Sequence, residues 1–404
     1  MGMRKDFLPV VLGSDINAYS VCRVIHQNYG IIPKVLCEEP FPQTSNSKIL
    51  DRAVIEGFST DDDVFLNTLI DFKAQHPDTP LILVICSDAY SELVSKHRQA
   101  LAEHYLLNVN SLEMNARLGN KLEFYKLCEE YGIPYPQTTS CTSATDLDYS
   151  KLRYPIVAKA ADSIRFYQLS FPGKRKAYVL GSEEELRAAL TDIYDAGYDG
   201  TMIIQDYIPG DASKTMSLNA YGDQSGKIRM MALGQILLDE VLPLMIGNNN
   251  AIYTKGDPEL MRTYEEFLNK LEYRGFSNID LKFDERDGVY KAFEMNLRIP
   301  ASGFFMQAGG LNYLDTYFRD VLGEPFEHEV HYYSKTEKLW LNVDPRVLKK
   351  YVNPSQLPLV KKLLKRGPQY SIWYSKDRSW ARFKLYMRMR LGSFKHYAQH
   401  SNYN

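Results

Sequence analysis

At 404 residues and 45% hydrophobic, the chain can bury more than one core, so two or three domains are expected. No apolar run approaches the ~20 residues of a membrane span, and five scattered cysteines (Cys22, Cys37, Cys86, Cys128, Cys141) without a CxxC pair fit a reducing cytoplasm and no structural zinc. The net charge of −2 is unevenly spread, because residues 326–404 carry 16 Lys and Arg against 5 Asp and Glu. That basic end suits an anionic partner, whether a nucleotide-linked substrate, a membrane surface or nucleic acid; solvated helix faces in VKKLLKRG and RFKLYMRMRLG are the plainer reading.

In chain order, FLPVVLGSD (7–15) predicts a buried strand ending in a Gly-Ser-Asp turn, and NAYSVCRVIHQNYG a helix stopped by Gly30. KVLCEE is a second strand, DVFLNTLIDFKAQHP a helix, LILVICSD (81–88) another buried strand and SELVSKHRQALAEH a helix. Such alternation means a parallel sheet covered by helices, with ligands at the carboxyl ends of its strands. Two of those ends read alike, GSDINAY and CSDAY. Ser14, Asp15, Ser87, Asp88 and Tyr90 are therefore expected to face one crevice; the plainer role of Ser and Asp there is to cap the following helices.

From NKLEFYKLCEEYGIPYPQT onward the pattern changes. A helix closed by Gly132 and Pro134 leads to the strand YPIVAKAA, and a loop ending FPGKRKAYVL leads back into a strand. SEEELRAALTDIYDAG is a helix with a capping box, Ser182 with Glu185. GTMIIQDYIPGD (200–211) is a strand running into a Pro-Gly turn. A hairpin around GDQSG, the helix PELMRTYEEFLNKLEYRG and a second hairpin, SNIDLKFDERDGVYKAFEMNLR, complete a mixed α+β region. The expected division is 1–112, an α/β domain; 113–200 and 201–325, two parts of the α+β region; and 326–404, a basic extension.

The second hairpin carries the chemistry. In NIDLKFD, Ile279, Leu281 and Phe283 point one way, and Asp280, Lys282 and Asp284 the other; in FEMNLR, Phe293, Met295 and Leu297 alternate with Glu294, Asn296 and Arg298. A three-residue loop, RDG, with Gly288 left-handed would pair Glu285 with Val289 and place Asp280 opposite Glu294. Facing carboxylates repel unless something positive lies between them. Asn296 adds a carbonyl oxygen on the same face. Two acids and an amide suit Mg²⁺, which keeps waters and shares substrate phosphates.

Asp280 followed by an E-x-N-x-R strand resembles the metal-binding hairpin of the ATP-grasp superfamily, and other pieces of that fold follow in order. Lys121 in GNKLEFY and Lys159 in YPIVAKA resemble its two phosphate lysines. IIQDYIPGD resembles the hinge over adenine, with Gln205, Asp206 and Ile208 near the base and Asp211 on the ribose. The flexible phosphate lid usually carries several glycines, but DSIRFYQLSFPGKRKAYV has only Gly173; its basic cluster Lys174, Arg175 and Lys176 would serve instead, with Lys176 among the nucleotide contacts. The resemblance implies an ATP-grasp fold preceded by a parallel-sheet domain, with ATP and Mg²⁺ as cofactors. It implies that Asp280, Glu294 and Asn296 hold the metal, and that Lys159 and Arg298 take part in catalysis.

The whole chain resembles the D-aspartate ligases of bacterial peptidoglycan synthesis, through LGSDINAY, QDYIPGD, GNNNAI and the basic tail. That implies an ATP-dependent ligase working through an acyl phosphate, joining the β-carboxylate of D-aspartate to the lysine side chain of a peptidoglycan precursor. Arg298 and Ser302 would join the strand-end residues as substrate contacts, and residues 239–252 would form part of the acceptor pocket. A cytoplasmic enzyme is expected, and its basic tail would suit either a diphosphate-bearing precursor or peripheral contact with the anionic inner membrane face. No nucleic-acid partner is expected. A ligase of free amino acids, or a nucleotide-binding regulator without catalysis, are the other readings.

Overall fold

The computed structural model describes residues 6–401, apart from 243, 244, 246 and 334–336. Three sheets organise it. The first is parallel, in the order Asp51–Val54, Lys34–Cys37, Leu8–Leu12, Leu81–Ile85. Leu8–Leu12 is central and almost wholly buried, which is why it reads as an unbroken apolar run. The helices Ile16–Tyr29, Asp62–Ala74 and Asp88–Lys96 follow the strands as the alternation predicts.

The second sheet is small and antiparallel, in the order Thr138–Cys141, Met202–Asp206, Ile156–Ala160, Tyr178–Leu180. Its helix, Glu183–Asp195, packs Leu186, Leu190 and Ile193 onto it. Ser182 caps that helix, accepting from the Glu185 N–H at 3.2 Å. Met202–Asp206 lies in the middle of this sheet, although it follows the division drawn at 200/201.

The third sheet has seven strands. Val289–Asn296, Gly275–Asp284, Thr215–Gly222, Ile228–Asp239, Asn249–Thr254 and Leu339–Leu341 run in that order, with His331–Tyr333 beside Ile228–Asp239. Helix Pro258–Lys270 covers one face through Met261, Tyr264, Phe267 and Leu268. On the other face, Phe305 and Tyr313 share one core with Val11 and Val84 of the first sheet and Tyr19 of helix Ile16–Tyr29. The parallel sheet and the large sheet thus bury a common interior. Close packing of the buried side chains is what makes such an interior rigid.

The region beyond 326 is built into the large sheet rather than hung from it. Leu339–Leu341 is a strand of the sheet, and the helices Pro345–Tyr351, Leu357–Lys365 and Trp380–His400 close over it through Val347, Leu348, Val360, Leu363 and Tyr397. Buried Asp377 fastens this region to the first domain. It accepts from the Tyr19 hydroxyl at 2.8 Å, the Ser47 hydroxyl at 3.0 Å and the Lys48 N–H at 2.7 Å, and pairs with Arg382 at 3.2 Å.

Candidate active site

The acidic hairpin is the floor of the site. Asp280 stands opposite Glu294, as the sequence predicts, but by a different count. The loop has four residues, because Asp284, not Glu285, pairs with Val289. Gly288 is left-handed at φ +74, and its N–H donates to the Asp284 carbonyl at 2.8 Å. Farther along, Leu281 pairs with Ala292 while Asp280 pairs with Glu294, so Phe293 is an extra residue, a bulge that restores the register. The bulge corrects a second expectation. A bulge re-aims its side chain, and Phe293 lines a cavity, whereas Met295 and Leu297 keep their places in or against the core.

Burial, and then the facing Glu294 charge, push the Asp280 carboxyl up to about 7. Burial works on Glu294 in the same direction, but Lys121, Lys176 and Lys159 outweigh it and hold that carboxyl below the usual range. Lys121, at the first position of helix Lys121–Tyr131, sits 3.1 Å from Glu294. Lys159 lies half-buried on Ile156–Ala160, 3.3 Å from the Tyr125 hydroxyl and 3.4 Å from the Phe293 carbonyl. Burial pushes its ammonium down to about 7, with Lys121 adding to the effect. Asn296 donates to Asn278 at 3.1 Å and its oxygen accepts from Arg298 at 3.4 Å.

These residues fit a hard divalent cation. Asp280, Glu294 and Asn296 offer oxygen only, and positive charge between the carboxylates would remove the repulsion that raises Asp280. No group of three or more His, Cys, Asp and Glu suited to a metal occurs among the described residues. The set therefore suits an ion that completes its shell with water and phosphate better than one held in an all-protein cage.

Two cavities meet over this floor. One, of about 290 Å³, lies between the small and large sheets, lined by Lys121, Lys159, Gln205, Asp206, Ile208 and Phe293 among others. The other, of about 580 Å³, lies between the first domain, the hairpin and the C-terminal region; Asp15, Phe41, Arg298, Ser302, Trp340 and His396 are on its walls. Lys176, Glu240, Asn249, Asp280 and Glu294 line both. Such a plan offers a slot for one ligand, a chamber for another, and a charged seam where they meet.

The strand-end residues separate into two kinds. Asp15 caps helix Ile16–Tyr29, accepting from the Ala18 N–H at 3.0 Å, and also lines the larger cavity. Burial raises its carboxyl, against the Ala18 N–H and Arg298. Asp88 accepts from Arg298 at 3.1 Å. The others do not reach the crevice. Ser14 donates to the Glu39 carbonyl and accepts from the Phe41 N–H at 3.2 Å, so it ties down the next turn. Ser87 caps its helix through the Tyr90 N–H at 3.4 Å. Tyr90 is buried among Phe58 and Phe65, and its hydroxyl accepts from the Glu38 N–H at 3.2 Å. Helix capping and core packing claim them, as the physics of Ser and Asp at such turns allows.

Asp211 is also placed differently from the expectation. Its carboxylate accepts from the Ser213 N–H at 2.9 Å and from Asn353 at 2.6 Å, and it is not among the residues lining either cavity. Of the lid cluster, Lys174 is held by the Tyr167 carbonyl at 2.6 Å, while Lys176 faces both cavities. Sequence reasoning gave no site role to Lys282 and Tyr207 in the smaller cavity or to Trp340, Asn342 and His396 in the larger, and Asp239, expected with 239–252 in the acceptor pocket, lines the smaller one. Burial pushes Asp239 up to about 6, against the pull of Lys282. Lys282 carried a signal, since it shares the polar strand face with Asp280. Residues 239–252 do reach the site through Glu240, Gly247, Asn249 and Asn250; residues 243, 244 and 246 of that stretch lie outside the described residues.

No family model matches the chain. The D-aspartate ligase of Enterococcus faecium (strain Aus0004) is 35% identical over 409 residues, which cover 97% of each chain. The protein belongs to the D-aspartate ligase family. Among solved structures, an L-amino acid ligase from Bacillus licheniformis superposes with a TM-score of 0.58 at 13% identity, over 79% of this chain and 75% of the other. An N5-carboxyaminoimidazole ribonucleotide synthetase, crystallised as an ADP complex, gives 0.61 at 13% identity over 98% of both. The fold is ATP-grasp with an N-terminal parallel-sheet domain, and this family member is an ATP-dependent carboxylate–amine ligase. No described helix is long and apolar enough to cross a membrane.

Proposed function

We propose that this ligase activates the β-carboxylate of D-aspartate and transfers it to the lysine side chain of a peptidoglycan precursor peptide. The observation that carries the reading is the meeting of two unequal cavities over Asp280 and Glu294. The smaller suits ATP. Gln205, Asp206 and Ile208 edge its base end, and Lys121, Lys159 and Lys176 stand where the phosphates would lie. Asp280, Glu294 and Asn296 would hold Mg²⁺, which would supply charge neutralisation for phosphoryl transfer.

In the first step a carboxylate oxygen attacks the γ-phosphorus, the bond to the β-phosphate oxygen breaks, and ADP leaves. In the second, the amine attacks the acyl carbon, phosphate leaves, and the nitrogen loses a proton. Arg298, held by Asp88 and Asn296, is aimed to bind a carboxylate of the amino acid or the oxyanion of the second step. Asp15, on the wall of the larger cavity, would meet an ammonium group. The larger cavity, walled on one side by the C-terminal helix, has room for a peptide-borne amine, which favours this acceptor over a second free amino acid. The intact set Asp280, Glu294 and Asn296 speaks against a regulator without catalysis. A cytoplasmic location at the inner membrane face accords with the precursor and the basic C-terminal region.

The test is hydroxylamine trapping with ATP and Mg²⁺, using D- and L-aspartate in turn, with ADP release followed in parallel. The expected result is aspartyl β-hydroxamate from the D isomer. ADP release strictly dependent on some other acid would overturn the substrate assignment.

A further inference from the structure

The C-terminal helix Trp380–His400 has two working faces. Its inner face supplies Met389, Ser393, His396 and Tyr397 to the larger cavity. Tyr397 is buried there, accepting from Asn250 at 3.0 Å and donating to the Asp239 carbonyl. At 3.6 residues per turn, Trp380, Lys384, Arg388, Leu391 and Lys395 fall together on the opposite side, and all five are exposed. Trp380 is 68% and Leu391 56% exposed. Phe383 stacks on Trp380 with centroids 5.4 Å apart, and the Lys384 ammonium lies 5.4 Å from the indole centroid. The helix contains no acidic residue.

The neighbouring basic helix is different. There, Lys362 and Arg366 both pair with Glu337, at 2.9 and 3.0 Å, so its charge is partly answered within the chain. The final helix also pairs two of its cations, Arg382 with Asp377 and Arg390 with Asp344, but both lie off the outer stripe; there, no ion pair among the described residues answers Lys384, Arg388 or Lys395, which share the stripe with an exposed indole and a leucine. A second copy of this chain would bring like charges together across a symmetric contact. An anionic lipid surface complements both features, because cations meet headgroups while Trp and Leu enter the boundary below them.

We infer that the outer face of helix Trp380–His400 docks on an anionic membrane surface, carrying the larger cavity on its other side to the plane where a lipid-borne acceptor would lie. The second half of that statement rests on the function proposed above; the docking itself does not. One short stripe with three cations gives reversible, salt-sensitive binding rather than anchoring.

The experiment is co-sedimentation of the full chain with vesicles of phosphatidylcholine alone or mixed with phosphatidylglycerol, at low and high salt. Wild type should pellet with the mixed vesicles only, and less at high salt. The variant Lys384→Glu/Arg388→Glu/Lys395→Glu should lose affinity by on the order of 100-fold, with an unchanged melting temperature and unchanged hydroxamate formation without vesicles. Trp380→Ser should weaken binding while keeping its salt dependence. Equal pelleting with both vesicle types, full binding by the charge-reversed variant, or dimerisation abolished by Leu391→Ser would overturn the inference. Failure of the ligase reading shows separately, as no hydroxamate from wild type whether or not it binds vesicles.

Discussion

Asp280 and Asp284 lie on the same strand, on the same face, four residues apart, and both are buried. Asp284 is answered within the hairpin. Arg286 reaches it with two hydrogen bonds, at 2.8 and 2.6 Å, and Lys291 with one at 2.8 Å, chiefly through Arg286 its carboxyl is held far below the usual range. Asp280 has Glu294 opposite and, among the described residues, a single hydrogen bond, from Asn278 at 3.5 Å; Arg298 and Lys176 pull its carboxyl down, but burial and Glu294 push it the other way. One end of the hairpin is finished as a structure. The other is left short of positive charge, and a buried carboxylate without a partner is tolerated where something else supplies one.

The sharpest way to break this contrast is to neutralise each acid in turn. Asp280→Asn and Glu294→Gln should each lower turnover ~100-fold or more, since each removes a charge from the metal floor; Asp280→Asn should cost little folding stability, whereas Glu294→Gln also cuts the ion pair with Lys121 and should lose some. Asp284→Asn should do the reverse, losing roughly 1.5–3 kcal/mol of stability, as charge-assisted hydrogen bonds do when cut, and keeping most turnover below its melting temperature. Urea unfolding and steady-state rates on the same preparations decide it. Near-normal turnover in both floor variants would remove the metal role from the hairpin.

The pH dependence sharpens the same contrast with a smaller effect. The Asp280 carboxyl rises from 3.8 unfolded to about 7 folded, so between those values the folded state binds more protons. Stability from this group is then fully present below pH ~4 and is lost as pH rises toward 7. Lys159 falls from 10.5 to about 7; between those values the unfolded state binds more protons, so its contribution weakens as pH falls toward 7. Comparing wild type with Asp280→Asn leaves Lys159 common to both. Without metal, wild type should lose melting temperature relative to the variant between pH 5 and 7.5, and Mg²⁺ with ATP should close that gap. A gap that is constant with pH would mean that Asp280 already has a partner.

How far the sequence carried depends on what fixed each feature. The buried strands and their helices were legible because periodicity records burial directly. The Asp280–Glu294 pairing was legible although the loop was misjudged, because a longer turn and a bulge at Phe293 shift the register in opposite senses. The bulge itself was not, since no glycine or polar residue marks it. Ser14, Ser87 and Tyr90 show the limit of analogy between two strand ends: a Ser-Asp turn caps a helix wherever it stands, and only the packing of Phe58 and Phe65 around Tyr90 decides where its hydroxyl goes. The role of the C-terminal region was hidden for another reason. Leu339–Leu341 joins the sheet across a sequence gap of more than 80 residues from its partner, Asn249–Thr254, and no local pattern encodes such a pairing.

Asp211 gives the smallest and most discriminating effect. The family resemblance assigns an acid here to the ribose, whereas the carboxylate caps the turn Ala212–Lys214 through Ser213 and binds Asn353 in the C-terminal region. A cap of this kind is worth about 1 kcal/mol, and the exposed contact to Asn353 adds little. Asp211→Ala should therefore lower the unfolding free energy by roughly that amount and change the Michaelis constant for ATP by less than about threefold. If the carboxylate held the ribose hydroxyls, losing a charge-assisted hydrogen bond of ~1.5–3 kcal/mol would raise that constant on the order of tenfold or more. Asp211→Asn separates the two further. The amide oxygen can still cap Ser213 and restore most of the stability, but it cannot replace a charged acceptor on ribose. A variant that regains stability and leaves the ATP constant untouched places Asp211 with Asp284, among the acids that finish the fold. One that regains stability and stays weak for ATP moves it to the site.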